Sequence, residues 1–409
     1  MKLKYFVVFI LIVFGAIYFT DLSVTTGKNT AEVLISYTLM IFFFFLGYLK
    51  FKKIINPISL LFPLYLGYFY YQFMFSTKQN VLTLEVIVCF YLFIYSYLIG
   101  CLFKFSSYIP SKSKISKSQS VIIHCSFLLG CLVFLFECFI NGGFPLFISI
   151  IGGKEIYADM FALPILHYFV MLTALVPAIY YYLFKKSLLK KYIYYIALVL
   201  SVFILLNTLS RQIMILGIVS FFFTYIKINN IPIDKLLLKF GGGAVLLFFA
   251  VGAIRIAAMD SNVNVADYLK LYSGVPKKLD INTFDITFNL YATLNFNTLN
   301  DIIKNTNDFS FGLYTLRPII ELFQYDAAFS YVYEEKFNGF VRLATIISDP
   351  YLDFGYVGVV IMGGVYGIIV AGAFRNYLNS HNLGACLIWS VLVYTMVMSV
   401  FANFFNVLF

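Results

Sequence analysis

Charge is scarce in this chain: Asp, Glu, Lys and Arg make up 12% of its 409 residues, and hydrophobic residues make up 62%. A soluble globular domain carries about 25% charged residues, so that class is excluded. Histidine is scarcer still, three in all, and none lies between His167 and His381. Polar stretches contain no cysteine. Cys89, Cys101, Cys125, Cys131, Cys138 and Cys386 all sit in apolar runs, leaving no disulfide framework, metal cluster or redox pair to read. No short-period repeat is visible, and the two halves do not mirror each other as in many inverted-repeat transporters. Acidic and basic residues are also missing from the middle of the apolar runs, where a through-membrane ion path would need them.

What the chain has in abundance is apolar stretches of membrane-spanning length. A hydrocarbon core needs about 20 apolar residues per helix. The pattern predicts an all-α polytopic membrane protein with about eleven transmembrane helices (10 to 12) and one large, partly helical outer loop. The spans fall near residues 5–20, 31–49, 54–75, 81–103, 120–140, 161–184, 192–209, 212–226, 236–258, 351–374 and 383–408. The expected organisation is helices in 1–258, the loop in 259–349, and the C-terminal helices in 350–409. A polar segment this long in so apolar a chain is where a soluble substrate would be met. The first run follows Lys2 and Lys4 as a signal sequence would, but Phe14 to Thr20 offers no small-x-small cleavage site, so it is read as a retained span.

The formal charge of +10 would suit nucleic acid if the basic residues formed a patch. They are sorted by side instead. Lys2 and Lys4, Lys50 to Lys53, Lys104 to Lys117, the Lys185/Lys186/Lys190/Lys191 group, Lys227 to Lys239 and Arg375 all fall between alternate spans, with only Asp234 against them. The opposite short loops hold Lys28, Lys78, Lys154 and Arg211. The positive-inside rule then places the N-terminus in the cytoplasm and the long loop outside, and no nucleic-acid partner is expected. The long loop itself is acidic, with eleven Asp and Glu against seven Lys and Arg.

Within the loop, Phe284 to Lys304 and Leu316 to Phe329 space their apolar residues like helices, which predicts a packed cap. In the tenth span Gly363, Gly367 and Ala371 recur every four residues, a spacing that lets helix backbones approach closely in lipid. Asp349-Pro350 reads as a helix N-cap followed by proline at the first helical position.

Ionisable residues crowd the outer ends of the spans: Glu32, Glu85, Glu137, His167, Arg255 and Asp353, with Arg211 in a tight outer turn. Snorkelling or capping accounts for any one of them. Together they suggest an active site at the outer membrane surface, roofed by the loop. Arg211 has almost no aqueous loop around it and needs a fixed partner. A guanidinium fork matches phosphate oxygens, so a lipid diphosphate, a headgroup or a neighbouring carboxylate would serve. Arg255, Arg317 and Arg342 are further candidates for the diphosphate, although Arg317 has Glu321 one helical turn on.

Four short signatures follow one another along the chain: Asn141-Gly-Gly-Phe-Pro145, Leu209-Ser-Arg211, Gly312-Leu-Tyr-Thr315 and Asp349-Pro-Tyr-Leu-Asp-Phe-Gly-Tyr-Val-Gly358. In this order they resemble those of the Wzy-type oligosaccharide repeat unit polymerases. The resemblance implies a bacterial inner-membrane glycosyltransferase of O-antigen or capsular polysaccharide biosynthesis. Its substrate would be an undecaprenyl-diphosphate-linked oligosaccharide, and its implied partners are membrane lipid, a flippase and a chain-length regulator. The implied reaction moves the growing chain from its lipid diphosphate to the non-reducing end of an incoming unit. Cations must stabilise the departing diphosphate and a base must take the acceptor's proton. Arg211, Arg255, Arg317 and Arg342 would supply the first without metal or other cofactor. With no histidine in the loop, Asp353 and Glu137 are the candidates for the second. Either has a structural alternative, Asp353 in starting the tenth span and Glu137 in anchoring its helix or pairing with an arginine.

Two other readings stay open. O-antigen ligases share this architecture, but their loop carries a histidine that this one lacks. A flippase for lipid-linked sugars would bind the diphosphate without chemistry. A metal-dependent transferase would show paired acids in the first outer loop, and Asp21 and Glu32 are not such a pair.

Overall fold

The computed structural model describes residues 30–70, 83–103, 115–152, 163, 166–208, 210–231, 294–306, 308–317 and 345–400. Among these the chain is all-helical and has no strand. The helices are α1 (Thr30–Phe51), α2 (Phe62–Tyr70), α3 (Leu84–Leu102), α4 (Lys117–Ile140), α5 (Pro145–Gly152), α6 (His167–Leu172), α7 (Val176–Lys185), α8 (Lys191–Asn207), α9 (Arg211–Asn229), α10 (Leu294–Asn305), α11 (Ser348–Asn379) and α12 (Leu383–Val397). A 3-10 turn, Thr173–Leu175, joins α6 to α7.

Six stretches among the described residues are long and apolar enough to cross a membrane: Leu84–Leu102, Ser118–Ile148, His167–Lys185, Gln212–Asn229, Ser348–Asn379 and Leu383–Val400. The chain is therefore a membrane-embedded helical protein. These six fall on expected spans, and the shorter apolar helices Tyr37–Phe51, Ser59–Phe69 and Lys191–Asn207 fall on three more. The expected spans 5–20 and 236–258 lie outside the described residues.

Contacts divide the chain into two compact units. The first comprises Met1–Phe105, Ala266–Ala371 and Thr395–Leu408; the second comprises Ser106–Val265, Gly372–Tyr394 and Phe409.

In the first unit, α3 and α11 meet backbone to backbone. A Cβ on Gly367 would lie 2.2 Å from the Tyr97 carbonyl oxygen, one on Gly100 2.2 Å from that of Gly364, and one on Gly363 2.2 Å from Ser96 Oγ. This is the close approach expected of Gly363 and Gly367, and it yields dispersion contacts that lipid tails cannot replace. Tyr68 of α2 stacks on Phe90 of α3 at 4.0 Å, and Phe296 of α10 packs edge-on against both. The segment expected as the outer loop thus contains a packed helix, with Phe296, Leu299 and Ile302 fully buried. Two asparagines tie it down: Asn300 Oδ1 accepts the Thr83 amide, and Asn295 Nδ2 donates to the Val400 carbonyl. Residues 284–293 and 318–329 of the expected loop helices lie outside the described residues.

The start of α11 departs from expectation. Asp349 is not the N-cap, because the helix begins one residue earlier at Ser348 and the Tyr351 amide already bonds to Ile347. Asp349 and Pro350 occupy its first turn, where a carboxylate favours the helix dipole and proline lacks an amide no partner would meet. The helix then breaks at Phe354 (φ −144, ψ 17) and Gly355 (φ 59, ψ −143). Eight residues of unbroken helix would separate Pro350 and Gly358 by about 12 Å. A Cβ on Gly358 would instead lie 2.1 Å from the Pro350 carbonyl oxygen, so the chain folds back on itself at the break.

In the second unit, α4 runs antiparallel to α6 and α7. Gly130, midway along α4, abuts the Phe169 carbonyl at the start of α6, and His124, nearer the start of α4, bonds to Tyr180 of α7. By contrast α7, with the 3-10 turn before it, runs parallel to α9: the Ala174 carbonyl of that turn faces Gly217, and Tyr181 packs on Phe221 and Tyr225. This unit therefore has two chemically distinct ends. One gathers Lys185, Lys186, Lys190, Lys191 and Lys227, with Lys227 donating to the Leu378 carbonyl. There His381 has its proton affinity pushed down by partial burial and by Lys227 and Lys186. The opposite end holds Glu137, His167, Asn207 and the start of α9.

Candidate functional site

Asp353, in the first unit, is fully buried. One carboxylate oxygen accepts the Tyr314 amide at 3.0 Å, and the other accepts the Thr315 amide at 2.7 Å and the Thr315 hydroxyl. The backbone adds two more bonds, from the Ser310 amide to the Leu352 carbonyl and from the Phe311 amide to the Asp353 carbonyl. Two of the four signatures, Gly312-Leu-Tyr-Thr315 and Asp349 to Gly358, are thus a single hydrogen-bonded body. The chain reversal at Gly355 turns the Asp353 carboxylate onto the loop, and Gly312, at φ +99, lets the loop curl over it.

Arg317 closes the same turn, its amide bonded to the Tyr314 carbonyl. Burial pushes the Tyr314 phenol well above its ordinary range, Asp349 and Asp353 push it further, and Arg317 pulls it back. The structure therefore brings Arg317 and Asp353 together around Tyr314, with Asp349 beside them. A general base must come within hydrogen-bond reach of its proton. In this geometry Asp353 anchors the loop.

In the second unit the last turn of α4 presents Glu137, which is 2% exposed. Its side chain crosses to the start of α6, where His167 Nδ1 lies 2.9 Å from Oε2 and 3.0 Å from Oε1, and the Leu163 amide donates to Oε1 at 2.9 Å. The expected helix anchor or arginine partner is an imidazole. The local chain explains the placement. Asn141 caps α4 by donating from Nδ2 to the Glu137 carbonyl, and Gly142 and Gly143 take φ +78 and +151 to turn the chain into α5 at Pro145. Asn207, fully buried, accepts the Leu146 amide and so ties α5 to the end of α8. The Asn141 to Pro145 signature builds this corner.

Arg211 is the first residue of α9. His167 lies seven residues before Ala174 and Arg211 six before Gly217, the pair at which the turn between α6 and α7 touches α9. At about 1.5 Å per residue they sit about 10.5 Å and about 9 Å from that contact, at nearly one level of this unit. A cation at a helix start opposes the macrodipole by ~0.3–1 kcal/mol. The preceding Ser210 makes no side-chain capping bond to the α9 amides. An anion at this position would relieve both.

In the sequence His167 stands as an ionisable span end with no role of its own. The usable signal is that Glu137 lies near the end of one expected span and His167 near the start of the next, so antiparallel packing of the two spans brings them to one end. Arg255 and Arg342 lie outside the described residues. Glu85 is exposed in the first turn of α3, within electrostatic reach of Tyr351. Among the described residues no three His, Cys, Asp or Glu side chains gather as metal ligands. No family model, curated protein or solved structure matches the chain.

Proposed function

We propose that the chain is a membrane glycosyltransferase of the oligosaccharide repeat unit polymerase type. It transfers a growing glycan from undecaprenyl diphosphate to the non-reducing end of an incoming undecaprenyl-diphosphate-linked unit, at the outer face of a bacterial inner membrane. The observation that carries this reading is the polarity of the second unit. Glu137, His167, Asn207 and the start of α9 share one end, while the lysines occupy the other. With the positive-inside rule, the first end faces outward, where lipid-linked units are joined. On this reading the segments 5–20 and 236–258 add further spans, for about eleven in all.

The chemistry asks for charge stabilisation of the leaving diphosphate, and a guanidinium at a helix start offers a fork and oriented amides to one anion. Arg211 is therefore the first diphosphate ligand to test. Arg317 already has carboxylates beside it, which makes it the weaker of the two. In vesicles supplied with purified lipid-linked units on the outer face, the wild-type chain should lengthen them into a ladder. Arg211→Ala should abolish the ladder while the protein still inserts. Arg211→Lys should restore little, since an ammonium is not a planar fork. Units that cross the membrane without lengthening would make the protein a flippase.

A further inference from the structure

We infer that His167, oriented by Glu137, is the proton acceptor for the acceptor sugar's hydroxyl, a role the sequence alone left to a carboxylate. This rests on the polymerase reading. The buried Glu137 carboxylate faces Nδ1 at 2.9 Å and 3.0 Å and is itself held by the Leu163 amide. A carboxylate there holds the ring proton on Nδ1, which leaves Nε2 with its lone pair. The ring is 28% exposed at the side chain against 3% for Glu137. The carboxylate is thus sealed in, while part of the ring remains accessible. Such a carboxylate–imidazole pair is the orienting half of a general-base system, and it stabilises the imidazolium once the proton arrives.

The step balances without further reagents. The acceptor hydroxyl oxygen forms a bond to the donor sugar's anomeric carbon as its proton passes to His167 Nε2. The bond from that carbon to the diphosphate oxygen breaks, and its electron pair leaves with the lipid diphosphate. The imidazolium then returns the proton to water. His167 stands at the level of Arg211, so base and diphosphate ligand belong to the same end of this unit. Glu137 acts through His167 and is a positioning residue.

The test uses the full-length chain in lipid nanodiscs and undecaprenyl-diphosphate-linked units purified from its source cells. His167→Gln should lower turnover by about 10²- to 10⁴-fold, with KM for the lipid-linked unit little changed. His167→Gly should recover turnover in proportion to added imidazole. Glu137→Asp should retain part of the activity. Glu137→Gln should lose it, because its amide would donate to Nδ1 and move the ring proton to Nε2. A His167→Gln chain that polymerises at the wild-type rate overturns the assignment and leaves the polymerase reading standing. So does a folded His167→Gly chain that imidazole does not rescue, or failure of both His167 variants to fold, which would make the pair structural. A wild-type chain that never lengthens the units sinks the polymerase reading, and this inference with it.

Discussion

Asp353 shows how one side chain can organise a loop many residues away. Its carboxylate takes two consecutive amides and a hydroxyl in a fully buried setting. Leaving such donors unmatched costs about 1–3 kcal/mol. Asp353→Ala should therefore lower the melting temperature in detergent and open the loop to protease near Thr315. Gly355 is the second critical residue. At φ 59 and ψ −143 it holds a conformation that L side chains rarely adopt, and its Cβ would meet the Phe309 ring at 2.8 Å. Gly355→Ala should destabilise by about 1–3 kcal/mol. Adding Phe309→Ala should not recover the loss, because the backbone strain remains. From the sequence, Asp349-Pro350 marked a helix start and was off by one residue. Asp-Phe-Gly as the start of a span was closer, since the long part of α11 begins beyond Gly355. The fold-back was not legible, because it depends on Pro350 and Gly358 meeting across the break.

At the level of elements, the α3–α11 crossing separates glycines that are needed from glycines that are merely present. A Cβ on Gly367 would strike the Tyr97 carbonyl at 2.2 Å, whereas one on Gly364 would find its nearest neighbour at 3.8 Å. Gly367→Ala should thus lower thermal stability. Gly364→Ala should be neutral or raise it slightly, since alanine is favoured over glycine within a helix by ~0.5–1 kcal/mol. Differential melting of the two variants checks this. The four-residue spacing of Gly363 and Gly367 was readable in advance. Its partner, Gly100 on α3, was not, because a lone glycine in a span has no period. In α10, burial raises the Asp301 carboxyl above its ordinary value, and Lys304 offsets part of the rise. A raised carboxyl contributes stability that is present below the unfolded-state value and is lost as pH rises through the folded one. Asp301→Asn should therefore stabilise the chain at neutral pH and make no difference below about pH 3.

For the molecule as a whole, the second unit gathers at one end the same lysines that the charge sorting assigns to the cytoplasm, and the proposed orientation rests on that match. Asn141→Cys and Ser187→Cys, placed at opposite ends, should react with an impermeant maleimide from opposite sides of sealed vesicles. Labelling of both from one side would remove the proposed orientation. EDTA should leave chain extension intact; loss restored by a divalent ion would overturn the metal-free mechanism. The gathering of ionisable groups at span ends was legible because placing charge in hydrocarbon is so costly. The Glu137–His167 pair is legible only in part: each residue reads as a span end, but which partner it meets is set by tertiary packing.

Two successive amides pointing at one spot form the kind of cradle in which loops commonly seat phosphate. Here the turn at Tyr314 and Thr315 arrives already plugged by a tethered anion. A covalent tether keeps that plug at a local concentration on the order of millimolar or more. Free phosphate would have to outcompete it while leaving a buried carboxylate stranded. The loop's own cradle is therefore closed to an external phosphate, and on the polymerase reading proposed above the diphosphate site belongs elsewhere.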